Sequence, residues 1–480
     1  MSDTATRTST TGVSRAIADV LASTRYEDLP ADVVEHTRRS ITDWLGSALG
    51  GCTERPARLA QHVAAGLGVS NESTIFGAGR ASAAAAAFAN GVASHILELD
   101  DIHKGSTVHA AAPIIPAALA VAEREHADGR AFMTAVTLGY EAAFRIGEAV
   151  NPSHYFFFHP TGTVATFGAA VAAGSILKLT PRQMLDALGS AGTQAAALWE
   201  FNADGAMSKH LHPGKAAMNG VLAADLARAG FTGATRILEG ERGFFRAMST
   251  THDPTRVSDG LGRRWKIGEN GYKLHACCGH THTAVDCALE IRLRRNWGGA
   301  DVVAAVGGIE IETYGPGYEI VKEMQPRTPY QAKFSLAYCV CAALLEGSLG
   351  LGQFASERFG MDGVRAQTIA ELLRRTRVVV ATDLTAKYPA AWPARVVVRL
   401  ADGSVDRAAS DFPRGHAENP VTTAELEAKF SSLVGSRFGD TVARAALVAL
   451  HAVDRCTDMS VLLVEMGRLA PVAGQLVTER

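Results

Sequence analysis

Acidic and basic side chains are concentrated in one short stretch of the chain, 95-HILELDDIHKGSTVHAAAP-113. It holds Glu98, Asp100 and Asp101 together with His95, His103, Lys104 and His109, although the whole chain has only 16 histidines. A carboxylate beside an imidazole or ammonium group fixes its protonation state, which general acid–base catalysis requires. Solvated helix ends carry similar mixtures of charge, so this stretch alone leaves a purely structural role equally open.

Three further stretches place histidine or lysine where a helix is expected to begin. They are 158-FHPTGT-163, 207-MSKHLHPGKAAMNG-220 and 273-KLHACCGHTHTAVDCALEI-291, with predicted helix starts near Thr161, Pro213 and Thr281, and His109 precedes a fourth start at 110–116. The first turn of a helix carries unpaired N–H groups and a partial positive charge, so it attracts anions. Four such ends that also carry Lys or His predict a shared pocket for a polyanion.

A metal site is the main alternative interpretation of these histidines. The pairs His210/His212 and His280/His282, each joined by an acid, would supply the ligand types that zinc prefers. The sequence has no H-E-x-x-H and no C-x-x-C, and Lys209 and Lys273 would repel a cation. A G-x-S-x-G nucleophile motif is also missing from the sequence. We therefore predict no metal and no serine nucleophile.

The composition excludes several functional classes. A net charge of −2 and a pI near 6.8 give no electrostatic basis for binding nucleic acid or an anionic membrane. Apolar stretches break before the roughly 20 residues of a membrane helix, and 1-MSDTATRTSTTGVSRA-16 reads as a disordered lead-in without a secretory signal. Seven cysteines without a framework spacing indicate reduced thiols in a cytoplasmic protein.

The hydrophobic pattern divides the chain into three parts. Most of 13–250 has helical spacing, as in 13–24, 31–51 and 215–230. Strand-like runs follow at 301–314, 376–383 and 394–405, and the last has β-branched alternation and an Asp-Gly turn typical of a hairpin. Helical segments at 281–294 and 334–347 are interleaved with these runs, and helical spacing returns after 423. The predicted fold is mainly α, with a large helical domain built from residues 1–265 and 411–480 and a smaller inserted α+β domain at 266–410.

At these motifs the chain resembles the MmgE/PrpD family over nearly its whole length. The resemblance rests on 25-RYEDLPADVVEHTRRSITDWLGSALGG-51, 90-NGVASHILELDD-101, 158-FHPTGT-163, 207-MSKHLHPGKAAMNG-220, 330-YQAKFSLAY-338 and 415-GHAENP-420. It implies the same two-domain fold, catalysis without a metal or organic cofactor, and a homodimer whose sites lie between the two domains.

The resemblance also implies the site residues. His109, His159, Lys209 and Lys273 match the family's active-site histidines and lysines, and Asp100 and Asp101 match its acidic motif. We predict His159, His109, Asp101, Lys209 and Lys273 as catalytic residues, and His212, Asp100, His103, Cys278 and His282 as substrate-binding residues.

Two positions depart from the family pattern. Glu98 stands where Asp is usual, and Cys278 stands where animal cis-aconitate decarboxylases look to have a catalytic histidine. The motifs ELDD, KLHACCG and 454-DRCTDMSVLLVEM-466 look more like the fungal form of that enzyme, although the fungal form looks to lack a counterpart of His212.

The family's reactions share one chemical problem, because each makes or quenches a carbanion beside a carboxylate. We expect Lys209, Lys273 and His212 to anchor the carboxylates of a small di- or tricarboxylate. His159 and His109 would move protons, and Asp101 would orient one of them. Decarboxylation of cis-aconitate or a similar acid is the first expectation. Dehydration of 2-methylcitrate and then epimerisation of iminodisuccinate stay open because they use the same residue types, while a non-enzymatic protein or a metal hydrolase is disfavoured.

Overall fold

The computed structural model describes residues 12–360 and 363–461, and most of these residues are helical. Residues 1–11 of the predicted lead-in and residues 462–466 of the fungal-type motif lie outside the described residues. The predicted fold class, mainly α with a small α+β portion, is confirmed. Among the described residues, no helix combines the length and apolarity needed to cross a bilayer.

The first part of the chain is helical apart from one short hairpin. Its helices are α1 (Val13–Ser23), α2 (Ala31–Gly51), α3 (Arg55–Gly66), α4 (Ala83–His95), α5 (Ala111–Arg124), α6 (Gly129–Val150), α7 (Pro160–Ile176), α8 (Pro181–Gly192), α9 (Phe201–Asp204), α10 (Ser208–Arg228), α11 (Phe244–Met248) and α12 (Thr255–Ser258). The hairpin between α3 and α4 pairs β1 (Ser73–Ile75) with β2 (Gly79–Ala81).

The remaining elements mix helices and strands and then return to helix. They are α13 (His282–Arg295), α14 (Gly299–Ala305), β3 (Val306–Thr313), α15 (Gly315–Val321), α16 (Pro329–Lys333), α17 (Leu336–Glu346), β4 (Phe359–Gly360), β5 (Gly363–Val364), α18 (Gln367–Arg374), β6 (Thr376–Val380), α19 (Thr382–Thr385), β7 (Ala394–Leu400), β8 (Val405–Ser410), α20 (Thr423–Phe438) and α21 (Asp440–His451).

Two of the predicted element boundaries are wrong. Helix α10 begins at Ser208, so Lys209, His210 and His212 lie inside its first two turns, and Pro213 is an interior residue rather than the helix start. The run 301–314 begins as helix α14, because the Asp301 carboxylate accepts from the Gly298 N–H at 2.7 Å and caps a helical turn before β3.

Small residues let the helices around the site pack backbone against backbone. Helix α10 packs against α4 and α7. At the α4–α10 crossing, a Cβ added to Gly91 would lie 2.8 Å from the Cα of Gly214. This approach holds the end of α4 and the beginning of α10 at a fixed separation, and both ends carry side chains of the candidate site.

A four-stranded sheet forms the core of the α+β part. Its strand order is β6-β3-β7-β8, with β3 parallel to β6 and the other pairs antiparallel. The predicted 394–405 hairpin is present, and Gly403 supplies the positive φ of +82° that its turn needs. Helix α13 packs against β7 and β8, which supports the segment before it that carries Lys273 and Cys278.

The C-terminal helices pack against the N-terminal part of the chain. Helix α20 lies along α2, and α21 contacts both of them. Lys429 of α20 donates to the Asp43 carboxylate of α2 at 2.6 Å and also to the Leu99 carbonyl. The end of the chain thereby supports the acidic turn that follows α4.

Candidate active site

The acidic stretch forms the turn between α4 and α5, and all three of its acids are buried. Helix α4 ends at His95, and Glu98 adopts a φ of +59°, in the left-handed region that is costly for a residue with a side chain. Lys333 supports this turn from α16, since its Nζ donates to the Leu97 carbonyl at 3.0 Å. The strained backbone directs the Glu98 side chain toward two lysines.

Glu98 joins the two lysines that the sequence predicted. Lys209 Nζ donates to Glu98 Oε1, and Lys273 Nζ lies 3.3 Å from Oε2. Burial opposes the charge on Glu98, but the two ammonium groups outweigh it and hold the pKa of this carboxyl well below its usual value. Two buried cations facing one anion leave an excess of positive charge, which suits a polycarboxylate ligand.

Asp100 is the carboxylate that faces the histidines. Its Oδ2 accepts from His95 Nδ1 at 2.6 Å and lies 3.5 Å from His109 Nδ1. Burial would raise the pKa of Asp100, but His95 and His109 hold it well below the usual value. Its other oxygen, Oδ1, is buried and has no hydrogen-bond partner in the described part of the chain.

Asp101 anchors the start of α5. Its carboxylate accepts from the Tyr140 hydroxyl at 2.7 Å, the Asn270 amide at 2.9 Å and the Ala111 N–H at 3.0 Å. Burial raises its pKa to about 7, against the effect of the Tyr140 hydrogen bond. We expected Asp101 to orient a histidine. It does so only through its main-chain carbonyl, which accepts from His109 Nδ1 at 2.6 Å, and the carboxylate facing the histidines belongs to Asp100.

Four histidines form a layer beside these acids. The His95 ring stacks on His159 at 5.6 Å and meets His109 edge-on at 4.8 Å, and His159 Nδ1 lies 3.1 Å from His212 Nδ1. Burial and the neighbouring His212 and His95 hold the pKa of His159 well below its usual value. Burial, with His95, lowers the pKa of His212 to about 3. His159 and His212 are therefore neutral at pH 7 until a bound anion raises their pKa values.

An apolar wall closes the other side of the site. His159 packs against Trp199 at 5.1 Å and Phe201 at 6.0 Å, while Lys209 Nζ lies 4.8 Å from the centre of the Phe334 ring. The site therefore presents cations on one side and poorly solvating aromatic rings on another.

Two predicted binding residues lie apart from the lysine pair. His103 stacks on Phe144 at 4.0 Å, and its Nδ1 lies 2.8 Å from Ser106 Oγ. His282 Nε2 points to the Cys277 carbonyl at 3.3 Å, behind the loop that carries Lys273. Cys278 does lie near Lys209 and Glu98, and burial raises its pKa to about 12, so it is a neutral thiol.

The structure adds residues that our predicted set omits. His95 and Glu98 both lie in the acidic stretch. Because its charged residues are so close in sequence, the sequence does not show which of them contacts which partner. His210, Tyr330 and Lys333 also line the region, although no spacing in the sequence connects α10 with α16. The motif 330-YQAKFSLAY-338 was the available signal, and it marked the family rather than the site.

Within the part of the chain that the structure describes, two groups of side chains have ligand types suitable for a metal ion. The first is His95, His109 and His159, which each bring one nitrogen within 4.8 Å of the others. Burial holds the pKa of His109 well below its usual value, and the charges of Lys273 and Lys209 lower it further; the same positive charge opposes a cation there. In the second group, His103, Glu148 and Glu269, the Lys266 ammonium lies 2.8 Å from Glu148 and 3.1 Å from Glu269 and supplies the positive charge itself.

Comparison with known families agrees with this architecture. The MmgE/PrpD N-terminal domain matches residues 15–257, and the MmgE/PrpD C-terminal domain matches residues 275–455. The chain belongs to the MmgE/PrpD family, and it is a lyase.

Several curated relatives are named as cis-aconitate decarboxylases or as a similar protein. The chain is 26% identical to a cis-aconitate decarboxylase-like protein, oryM, of Aspergillus oryzae, over 94% of this chain and 96% of that protein. It is 26% identical to the cis-aconitate decarboxylase of Aspergillus terreus, with 97% and 98% covered, and 25% identical to the human cis-aconitate decarboxylase, with 94% and 93% covered. Fungal and animal enzymes are thus nearly equally similar to this chain.

Proposed function

We propose that this protein is a cofactor-independent decarboxylase of cis-aconitate or of a tricarboxylate of similar shape. The observation that carries the proposal is the pair of buried lysines on Glu98, set between a layer of neutral histidines and an aromatic wall. The names of the fungal and human relatives support this choice among the family's reactions.

Substrate binding begins with an exchange of anions. Two carboxylates of the substrate replace or share the contact that Glu98 makes with Lys209 and Lys273. Ammonium–carboxylate hydrogen bonds in a buried site are strong because little water screens them. The third carboxylate then faces Trp199 and Phe201, where the protein offers few groups to stabilise its charge.

Loss of carbon dioxide removes the poorly stabilised charge of this third carboxylate. The bond between the methylene carbon and the departing carboxylate breaks, and its electron pair enters an allylic carbanion delocalised toward a retained carboxylate. Lys209 and Lys273 stabilise this developing charge, which is the largest contribution that such a site makes. The pair of electrons is finally quenched by a proton at the far end of the allyl system.

His159 delivers that proton in this mechanism. Its pKa is lowered in the free protein, first by burial and then by His212. A bound trianion raises it again, so His159 takes up a proton with the substrate and returns it to carbon after decarboxylation. Asp100 holds the adjacent His95 and His109 in one arrangement throughout.

Proton NMR of the chelator-treated protein in D₂O tests the reaction. Incubation with cis-aconitate should give itaconate carrying one deuterium at its saturated methylene carbon. His159→Ala should lose at least about 10²-fold in kcat, the usual contribution of a general acid, and His103→Ala serves as the control outside the lysine pair. Separate incubations with 2-methylcitrate and iminodisuccinate test the alternatives. A dehydrated product, or α-carbon exchange without cleavage, would replace decarboxylation with hydro-lyase or epimerase activity.

The homodimer implied by the family and the cytoplasmic location indicated by the cysteines belong to the same proposal. An exposed aromatic patch supports the dimer, since Phe156 is 76% and Phe157 60% exposed, and Leu198 beside them is 61% exposed. This patch lies next to His159 and Trp199 in the chain, and a second copy would cover it. Sedimentation should show a dimer that Phe157→Glu weakens, whereas a monomeric wild-type protein would contradict the dimer.

A further inference from the structure

Tyr330 lies at the border between solvent and the closed site. Its half-buried ring lines a surface cleft of about 360 Å³ together with Asn202, Ile320 and Phe334. The hydroxyl at the inner end of the ring is buried and has no hydrogen-bond partner among the described residues. Buried hydroxyls normally find an acceptor, so this one indicates a missing ligand group.

The surroundings of Tyr330 place its ring near Lys209 and Glu98. The ring stacks on Phe334 at 5.0 Å, the Nζ of Lys209 lies 4.8 Å from that same Phe334 ring, and the charge of Glu98 acts on the Tyr330 hydroxyl. On another side the ring faces His210 at 6.2 Å, whose Nδ1 is also buried and unpartnered within the described chain. Gly205, with a φ of +71°, allows the end of α9 to pack against the ring and fix it.

The hydroxyl remains a donor throughout the physiological pH range. Burial raises the pKa of Tyr330 well above its usual value, and the negative charge of Glu98 raises it further. A neutral phenol close to Lys209 therefore donates a hydrogen bond, and a carboxylate oxygen bound by that lysine is a suitable acceptor.

We propose that the Tyr330 hydroxyl donates a hydrogen bond to the substrate carboxylate held by Lys209, and is thus a further substrate-binding residue. This inference rests on the proposed function, since it assumes a polycarboxylate in the site. It assigns the motif 330-YQAKFSLAY-338 a contact with the ligand in addition to its packing role.

Two conservative variants separate binding from packing. Tyr330→Phe removes a hydroxyl without a partner, so it should leave the melting temperature unchanged or higher. The matched control is Tyr338→Phe in α17, because the buried Tyr338 hydroxyl donates to the Gln353 carbonyl. That control should lower the melting temperature and leave the KM for cis-aconitate within about twofold.

Binding is measured with propane-1,2,3-tricarboxylate, which has the same three carboxylates but no double bond. Calorimetry should show a Kd about tenfold weaker for Tyr330→Phe than for the wild type, as expected for a lost hydrogen bond to a charged group. The kcat/KM for cis-aconitate should fall by a similar factor.

The outcomes distinguish this inference from the proposed reaction. If cis-aconitate is not turned over but the tricarboxylate binds in a Tyr330-dependent manner, the reaction fails and the binding role stands. If turnover occurs and Tyr330→Phe matches the wild type in Kd and kcat/KM, the reaction stands and the binding role fails. A melting temperature lowered as much as in Tyr338→Phe, or a wild type that binds no tricarboxylate, would also overturn it.

Discussion

Glu98 is the residue on which the electrostatics of the site depend. A buried ammonium pair without a counter-charge would be strongly destabilising, and Glu98 supplies that charge in the free protein. Glutamate is one methylene longer than aspartate, and this length helps one carboxylate to reach both lysines. The substrate must then compete with the Glu98 carboxylate for Lys209 and Lys273.

Glu98→Gln should reveal this competition. Removing the charge leaves Lys209 and Lys273 to repel each other, so the melting temperature of the free protein should fall. Propane-1,2,3-tricarboxylate should then stabilise the variant by more degrees than it stabilises the wild type, because it meets two uncompensated cations. Thermal unfolding with and without the ligand measures both effects. An equal or smaller ligand-induced shift in the variant contradicts the competition.

Asp101 should make stability depend on pH in the opposite sense to most acids. Its pKa of about 7 in the folded protein lies above the roughly 3.9 of an unfolded chain. The stabilisation from its protonated form is therefore complete below about pH 4 and is lost as pH rises toward 7. Between pH 5 and 7, urea unfolding should show that the free energy of unfolding of the wild type falls by about 2 kcal/mol relative to that of Asp101→Asn. Parallel curves for the two proteins would refute this assignment.

At this scale the sequence predicted residue types better than partners. His159, Lys209 and Lys273 could be proposed as site residues because each matches a family motif, and their catalytic roles remain predictions. The exchange of roles between Asp100 and Asp101 could not, because consecutive residues of a turn point in directions set by dihedral angles such as the φ of +59° at Glu98. His103 follows the acids closely in sequence, yet it turns toward Phe144.

Among the elements, the crossing of α4 and α10 determines the geometry of the site. Helix α4 ends at His95, and α10 begins one residue before Lys209. Their separation depends on Gly91 and Gly214, where no side chain intervenes. An alanine at this crossing would push apart His95 at the end of α4 and Lys209 at the beginning of α10.

Gly91→Ala should therefore damage both stability and activity. The added Cβ meets backbone at 2.8 Å, so we expect a loss of about 1–3 kcal/mol in unfolding free energy and a clear fall in kcat/KM. Gly66→Ala at the end of α3 is the matched control. Its Cβ would meet nothing within 4 Å, and it should be neutral or slightly stabilising. Equal stability of the two variants would show that the crossing tolerates expansion.

Local patterns explain which elements were predicted correctly. Period-two alternation and an Asp-Gly turn were sufficient for β7 and β8. Pro213 suggested a helix start because proline favours the first turn, but tertiary packing keeps α10 helical on both sides of it. This packing involves α4 and α7, which lie too far from α10 in the sequence for a local pattern to reveal the contact.

At the scale of the whole molecule, the buried ion pair between Lys429 and Asp43 connects helix α20 with helix α2. Burial raises the pKa of Asp43, and Lys429 is the main opposing influence. The same ammonium group holds the Leu99 carbonyl, one residue from Glu98 and Asp100. A residue close to the C-terminus therefore stabilises a turn that begins more than 300 positions earlier.

Lys429→Met should cost about 3 kcal/mol of unfolding free energy, since it leaves a buried carboxylate without its partner. The double variant Lys429→Met with Asp43→Asn should recover most of that stability but not the full activity, because the Leu99 carbonyl still lacks its donor. Urea unfolding and kcat measured on both variants check these expectations. A double variant as unstable as the single one would mean that the ion pair is not the cause.

The large-scale arrangement could be predicted because family resemblance covers the whole chain. Hydrophobic spacing indicated a mainly helical protein with a strand-rich insertion, and the packing of α20 against α2 is consistent with the helical spacing after 423. The boundaries at 265 and 410 remain predictions. Contacts between α16 and the acidic turn could not be derived, because they join residues more than 230 positions apart.

The burial of the reactive groups has a consequence for the timing of turnover. Glu98, Lys209, Lys273 and His159 are each no more than 2% exposed, so we expect reactants and products to pass when the protein opens. The turnover rate would then depend on this opening motion as well as on bond breaking. Surface substitutions far from the reactive groups would therefore change the turnover rate. Evolution has in them a way to alter this rate while every reactive side chain stays the same.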